Sequence, residues 1–271
     1  MAPDMQVPPL PDERDPGVSV WRDLEGEAIA YAQTLGAIAW VHLPGVASFA
    51  IEAGERVTAV PERSSRSERV LDAFERTVLP IALQTGGREL LHASAVRLPL
   101  GVVAFCAVSE TGKSTFAYGF GQRGCPVWAD DAVCFDTAGP SVLAVPLPFA
   151  VRLRPQSAEF FEKRGEGRSF DGAGGDSLPL AALFVLERLR TGEGVQCTRL
   201  SSAEAFPVAL AHAYYLNADD RERTSRMVAE YMELVDRVPV FRLAFEPGLE
   251  LLPALFDLVE RTVADLEASA A

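Results

Sequence analysis

The segment Ala107-Val-Ser-Glu-Thr-Gly-Lys-Ser114 follows directly on the apolar run Gly101–Cys106 and leads into a helical pattern, Ser114 to Arg123, that stops at Gly124. An apolar run of that length reads as a buried strand. A strand that feeds a loop ending in Gly-Lys-Ser, with a helix behind it, has the layout of a phosphate-binding P-loop. The chemistry requires these residue types. Backbone N–H groups in the tight turn cradle phosphate oxygens, and the helix aims the positive end of its dipole at the anion. Lys113 then neutralises charge on the β- and γ-phosphates, and the Ser114 hydroxyl ligates Mg²⁺. Ala107, Val108, Ser109, Glu110, Thr111, Gly112 and Thr115 complete the cradle. The usual first glycine of the motif is Ala107, the mildest replacement. The motif by itself predicts ATP or GTP binding and leaves the reaction open.

A second constellation is Ala129-Asp130-Asp131, which closes the short run Cys125–Trp128, with Asp131 eighteen residues after Lys113. One helix and one return strand fill that interval and bring both carboxylates back beside the loop. By itself an acidic pair after a strand is an ordinary turn. At this spacing one carboxylate can hold a metal and the other can accept a proton from an attacking hydroxyl. The third element is the strand-like run Leu90–Arg97, whose His92 precedes Lys113 by twenty-one residues. A lone histidine in an apolar segment is ordinarily a hydrogen-bonded core residue.

In order and in spacing, His92, the loop around Lys113 and the pair Asp130-Asp131 resemble the bifunctional HPr kinase/phosphorylase family, whose P-loop core is similar to that of phosphoenolpyruvate carboxykinase. A Leu-His opens the strand before the loop in that family, and a Val-Ala-Asp-Asp or Ile-Ala-Asp-Asp closes the strand after it. The corresponding residues here are Leu91-His92 and Trp128-Ala-Asp-Asp131, and the likeness runs from Leu90 to Val133. The resemblance implies an α/β fold: a P-loop kinase core of the HPr kinase C-terminal domain type with a small N-terminal α+β lobe. It also implies ATP and Mg²⁺, with the γ-phosphoryl group passing to a serine hydroxyl of a protein or peptide. By position Lys113 and Ser114 match the phosphate and metal residues, Asp131 the general base and His92 the active-site histidine, with Asp130 assisting the metal. Two positions depart from the pattern. The family's glutamate metal ligand, in a Leu-Glu-Ile-Arg-Gly segment, has no counterpart in Val145–Glu159, and Thr115 stands where the bifunctional enzymes carry glutamate.

The segments Trp40–Phe49, Pro148–Glu159, Leu180–Arg188 and Val238–Leu243 are similar to a less uniform branch of HPr-kinase-like proteins found with peptide natural-product pathways. That branch includes kinases that phosphorylate the C-terminal serine of lasso precursor peptides. The acceptor implied is a serine-containing peptide or protein. Two readings of other classes stay open: a kinase for a small hydroxyl compound, and a nucleotide-binding accessory protein without turnover.

Composition agrees with a soluble enzyme. The chain has 271 residues, 48% of them hydrophobic, enough to bury a sizeable core. No apolar run is long enough to span a bilayer, and Met1 to Asp15 is proline-rich and acidic, unlike a signal peptide, so a cytoplasmic location is expected. Cys106, Cys125, Cys134 and Cys197 lack metal-ligand spacing and are expected as free thiols. A net charge of −13 argues against nucleic acid or anionic membranes as partners and is compatible with a basic peptide; the oligomeric state is not legible.

Along the chain, a loose tail is expected over 1–18, a small α+β lobe over 19–87 and the kinase core over 88–271. Glu27 to Leu35 reads equally as a short helix or a strand. Ile38–His42, Ser48–Glu52 and Arg56–Val60 read as an antiparallel sheet, and Ser67–Gln84 as one helix. Beyond the acid pair, Ser141–Leu153 reads as proline-broken strands, Ser157–Lys163 as a helix and Leu180–Arg188 as a core strand. Ala203–Leu216, Arg221–Val235 and Gly248–Leu266 read as helices, and Phe241–Phe245 as a strand. The glycine-rich stretch Arg164–Asp176 is either a plain surface loop or a lid whose Arg164 or Arg168 meets the phosphoryl group. Arg152, Arg154, Arg221, Arg223 and Arg226 are candidates for phosphate contact or for simple solvation. His212 is assigned to packing.

Overall fold

Every residue of the run Gly101–Cys106 is buried in the computed structural model, as a strand covered on both faces must be. The structure describes residues 6–15, 17–22, 25–52, 56–108, 111–165, 170–172, 175–190, 192–214 and 221–270. Ser109, Glu110 and Arg168 lie outside these residues, as do positions 215 and 216, and the expected helix Ala203–Leu216 already ends at Leu210. The fold is mixed α/β and divides into two units. One runs to Arg88 and takes in Tyr214; the other comprises 89–213 and the chain from Arg221 onward.

The first unit is an antiparallel meander of β1 (Val18–Arg22), β2 (Ala28–Leu35), β3 (Ile38–Leu43), β4 (Ala47–Glu52) and β5 (Arg56–Pro61), paired in chain order. The segment that reads as helix or strand is β2, paired on both edges, with Val20 and His42 flanking Tyr31. The sequence reading does not anticipate β1. Glu13, inside the expected tail, bonds to Arg22 and, at 3.1 Å, to the Tyr31 hydroxyl. The expected helix Ser67–Gln84 forms as α1 (Ser67–Ala73) and α2 (Leu79–Thr85), joined by a π-turn over Phe74–Val78. Pro80 accounts for the irregularity, because it has no N–H to donate and its ring crowds the preceding turn, which the wider π-turn accommodates. Val70, Val78 and Ile81 of this helical stretch pack against Val41, Phe49 and Ile51 of the sheet.

The second unit contains, in order, β6 (Glu89–Leu91), β7 (Ala93–Leu98), β8 (Gly101–Cys106), α3 (Lys113–Gln122), β9 (Val127–Ala129), β10 (Val133–Asp136), β11 (Leu143–Val145) and β12 (Phe149–Ala150). These are followed by α4 (Pro155–Lys163), β13 (Asp171–Gly172), β14 (Leu178–Arg188), β15 (Val195–Arg199), α5 (Ser202–Leu210), α6 (Arg221–Arg237), β16 (Val240–Phe245) and α7 (Leu252–Ala270). A nine-stranded sheet runs β6-β10-β11-β14-β8-β7-β9, and β16 and β15 extend it from β14. The centre is parallel: β14 aligns with β8 on one edge and with β16 on the other.

Alternation along β8 sends Val102, Ala104 and Cys106 to one face, with Ala205, Met227, Tyr231 and Leu234 of α5 and α6. Val103 and Phe105 go to the other, with Phe116 and Phe120 of α3, Phe161 of α4 and Leu255 and Phe256 of α7. Helix α3 is held tightly there. A Cβ on Gly119 would stand 2.3 Å from the Phe256 ring, so only glycine admits that ring.

The run Leu90–Arg97, expected as one strand, is two. β6 pairs with β10, β7 pairs with β8 and β9, and His92 is the residue at which the chain changes partners. β10 and β15 are further strands that the sequence reading does not anticipate. The four cysteines are free, with Cys106 and Cys134 buried. Among the described residues no helix is long and apolar enough to cross a membrane.

Candidate functional site

Strand register assembles the site. Ala93 at the start of β7 lies opposite Cys106 at the end of β8, and Ala95 of β7 lies opposite Ala129 at the end of β9. The residues just outside those positions are His92, the loop from Ala107, and Asp130-Asp131. Three segments separated in sequence therefore meet at one end of the sheet.

Within the loop, Val108 is 71% exposed, while Thr111 and Lys113 are 6% and 7% exposed. The Thr111 N–H donates to the Val108 carbonyl at 3.3 Å, and Gly112 takes φ 124°, a conformation that essentially only glycine tolerates, as the chain enters α3. The Lys113 ammonium turns back and donates to the Ala107 carbonyl at 2.9 Å, spanning the loop from inside. Burial pushes this ammonium below its ordinary pKa, opposed by the charges of Asp131 and Asp130. The Thr115 hydroxyl pairs with the Ser157 hydroxyl at 3.1 Å, fastening the first turn of α3 to α4.

Asp130 is 9% exposed and well supported. Oδ1 accepts the Ser94 hydroxyl at 2.5 Å and Oδ2 the Arg152 N–H at 3.3 Å, and the Ser114 hydroxyl also bonds to the carboxylate. Burial raises its pKa, and these hydrogen bonds oppose the rise. Arg152, a candidate phosphate contact, thus reaches the site through its backbone.

Asp131 has φ 66°, the one positive value among the described non-glycine residues. The Ala132 N–H donates across it to the Asp130 carbonyl at 2.9 Å, closing a three-residue γ-turn, and the Asp131 carbonyl faces His92 Nδ1 at 3.0 Å. Because a carbonyl only accepts, Nδ1 carries the hydrogen and neutral His92 has its lone pair on Nε2. Burial, followed by the charge of Lys113, lowers the His92 pKa and favours that neutral form.

The expected residues Ala107, Val108, Thr111, Gly112, Lys113, Ser114, Thr115, Asp130, Asp131 and His92 therefore occupy one end of the sheet; Ser109 and Glu110 are outside the described residues. The sequence reading missed Ser94, one residue pair along β7 from His92. His212, assigned to packing, lies beside His92 through its backbone. The His92 N–H donates to the His212 carbonyl at 2.7 Å, beside an isolated bridge between Leu91 and Ala213. Burial and the charges of Lys113 and His92 bring the His212 pKa down to about 4. No local sequence signal marks His212, because a long-range bridge places it. Arg223, another candidate phosphate contact, is instead ion-paired with Glu89. Arg164 of the candidate lid lies over the Phe160 ring at 5.2 Å. Cys106 is no candidate nucleophile, since burial pushes its thiol up to about 12.

Among the described residues no group of three or more His, Cys, Asp or Glu side chains converges on a metal position. The hydrogen-bonded Ser114 hydroxyl and Asp130 carboxylate form a hard oxygen pair. That donor set suits Mg²⁺, which keeps several waters and takes its other ligands from substrate phosphates. The site thus combines a buried ammonium, a carboxylate pair and two imidazoles behind a glycine-hinged loop.

The chain matches no family model and no curated protein. Among solved structures it is similar to the Hpr(Ser) kinase/phosphatase from Coxiella burnetii, at 10% identity, over 66% of this chain and 98% of that one, with a TM-score of 0.39. A likeness this slight carries no argument about the site.

Proposed function

We propose that this protein is a cytoplasmic ATP-dependent kinase that transfers the γ-phosphoryl group to a serine hydroxyl of a peptide or protein, with a ribosomal natural-product precursor of the lasso type as a candidate acceptor. The observation that carries this reading is the meeting, at one end of the sheet, of the buried Lys113, the Ser114–Asp130 pair and Asp131. Phosphoryl transfer is mainly positioning and charge stabilisation, and these are the groups it needs.

Loop N–H groups and the N-terminus of α3 would hold the phosphates, and Ser114 and Asp130 would hold Mg²⁺. When bound, the metal supplies neutralising charge on the β- and γ-phosphate oxygens. Lys113 exchanges its bond to the Ala107 carbonyl for phosphate oxygens, and its placement costs little because burial has already fixed it. Asp131 orients the acceptor hydroxyl and takes its proton, while His92 positions the acceptor or the γ-phosphate. The new bond forms between the serine oxygen and the γ-phosphorus. The bond from that phosphorus to the bridging oxygen breaks, and its electron pair leaves on ADP.

The test is direct. Mg-ATP is expected to raise the melting temperature of the wild type, and Lys113→Ala to abolish that shift with the apo protein melting nearly as before. Incubation with a serine-containing precursor peptide should add about 80 Da, one phosphoryl group, and serine→alanine in the peptide should remove the gain. An unchanged ATP shift in Lys113→Ala overturns the loop assignment. Labelling of a free hydroxyl compound instead of any peptide favours a small-molecule kinase, and binding without turnover favours an accessory protein.

A further inference from the structure

The end of α5 is built to hold one residue in place. Ser201 caps the helix with a reciprocal box, its hydroxyl accepting the Glu204 N–H while the Glu204 carboxylate accepts the Ser201 N–H at 2.9 Å. At the other end Ala211, His212 and Ala213 each donate back into the last turn, to Pro207, Ala209 and Leu210 at 3.0–3.1 Å. The next contacts are with β6 and the residue after it: the Leu91–Ala213 bridge and the His92 N–H on the His212 carbonyl at 2.7 Å. Residue 212 is thus fixed from both directions beside His92. Its ring is half-buried and makes no hydrogen bond with the described residues. Three basic groups, Lys113, His92 and His212, consequently share one neighbourhood. A fixed imidazole that makes no hydrogen bond with the described residues, lying within the charge field of a lysine already engaged by the loop, is a donor for an anion.

We infer that His212 donates a hydrogen bond to the terminal phosphate of the bound nucleoside triphosphate. In a loop of this kind the backbone N–H groups serve the inner phosphates and the lysine reaches the outer ones. A donor close to both Lys113 and His92 therefore meets the group that is transferred. The inference rests on the nucleotide-binding reading above and extends it to a residue outside the loop and the acid pair.

The experiment compares binding of Mg²⁺ with β,γ-imido-ATP and with ADP to full-length wild type, His212→Ala, His212→Asn, His212→Gln and Lys113→Ala. His212→Ala should weaken the triphosphate analogue about ten-fold or more, the scale of a hydrogen bond to a charged oxygen, and leave ADP unchanged. One of the amide variants, whose nitrogen stands near the position of Nδ1 or Nε2, should recover most of the loss. Equal weakening of both nucleotides, or none, overturns the contact and returns His212 to a structural role. Since Asn and Gln preserve polarity and bulk, the comparison holds even if His212→Ala folds poorly. Intact nucleotide binding in Lys113→Ala would remove the loop reading itself, and the His212 contact with it.

Discussion

Asp131 is held in a conformation that costs an L-residue free energy, and it does so beside a buried lysine and a histidine. A non-glycine residue in a γ-turn of positive φ stores on the order of 1–3 kcal/mol. Asp131→Gly removes that strain, adds up to about 1 kcal/mol of backbone entropy cost and withdraws a carboxylate that offsets the burial of Lys113, so the variant is expected to stay close to wild type in stability. Phosphoryl transfer should nevertheless fall by about a hundredfold or more, the scale of a lost general base. A denaturation midpoint well below wild type would mean that the turn is structural and not strained for function. His212 offers a second test. Its pKa is about 4 in the folded protein against an ordinary 6.5, so on acidification the unfolded chain takes the proton first. Its contribution is complete above about 6.5 and is lost as pH falls from there toward about 4. The melting temperature between pH 7.5 and 5 should therefore fall less steeply in His212→Asn than in wild type, and parallel curves would refute the linkage. At this scale the sequence was most informative where chemistry is local. The Gly-Lys-Ser turn and the Asp-Asp pair are visible in a few residues, but the positions of Ser94 and His212 depend on pairings between distant segments.

Among elements, the attachment of α6 to the sheet depends on polar partners. Arg223 of α6 pairs with Glu89 of β6, whose side chains are 16% and 2% exposed, and the Tyr231 hydroxyl donates to the Leu90 carbonyl at 2.5 Å. Removing one member of a buried pair leaves the other charge uncompensated. Arg223→Met is expected to destabilise the protein by about 3–5 kcal/mol, and the double variant with Glu89→Leu to recover most of it. Chemical denaturation of the three variants checks this, and additive losses in the double variant would contradict it. Because β6 ends next to His92, Arg223→Met should also disturb the site. The same chemistry explains why Arg223 reads as solvated in sequence: its partner lies far away in the chain. Strongly periodic elements such as the helix from Arg221 and the central strand, read over Leu180–Arg188, were legible, as were β3, β4 and β5 of the meander, because alternation and turn residues mark them locally. The short strands β1, β10 and β15 were not. Each has only four or five residues and is defined by its neighbours, β1 and β15 at sheet edges and β10 between β6 and β11, and the break at His92 arises from a change of strand partners that no residue type announces.

For the molecule as a whole, the balance of charge bears on what the site will accept. The chain carries 38 acidic and 25 basic residues, and several of the arginines are committed internally. Arg22 pairs with Glu13, Arg123 with Asp257 and Glu260, Arg223 with Glu89 and Arg237 with Glu233. These pairs cancel acids as well as bases, so the net charge of −13 sets a negative field, and a peptide acceptor of the kind proposed would be steered by it before any specific contact forms. Steering alters encounter more than the chemical step, so it should appear in kcat/KM and not in kcat. Among serine peptides of equal length, one with several lysines or arginines is expected to show a kcat/KM about tenfold or more above an acidic counterpart at low salt, the lower end of the rate gain that steering supplies. Raising the ionic strength to about 0.5 M shortens the screening length to a few ångströms and should bring the two together. Discrimination that survives high salt would place the preference in direct contacts at the site, and a preference for the acidic peptide would show that local fields around Lys113 and α3 outweigh the net charge.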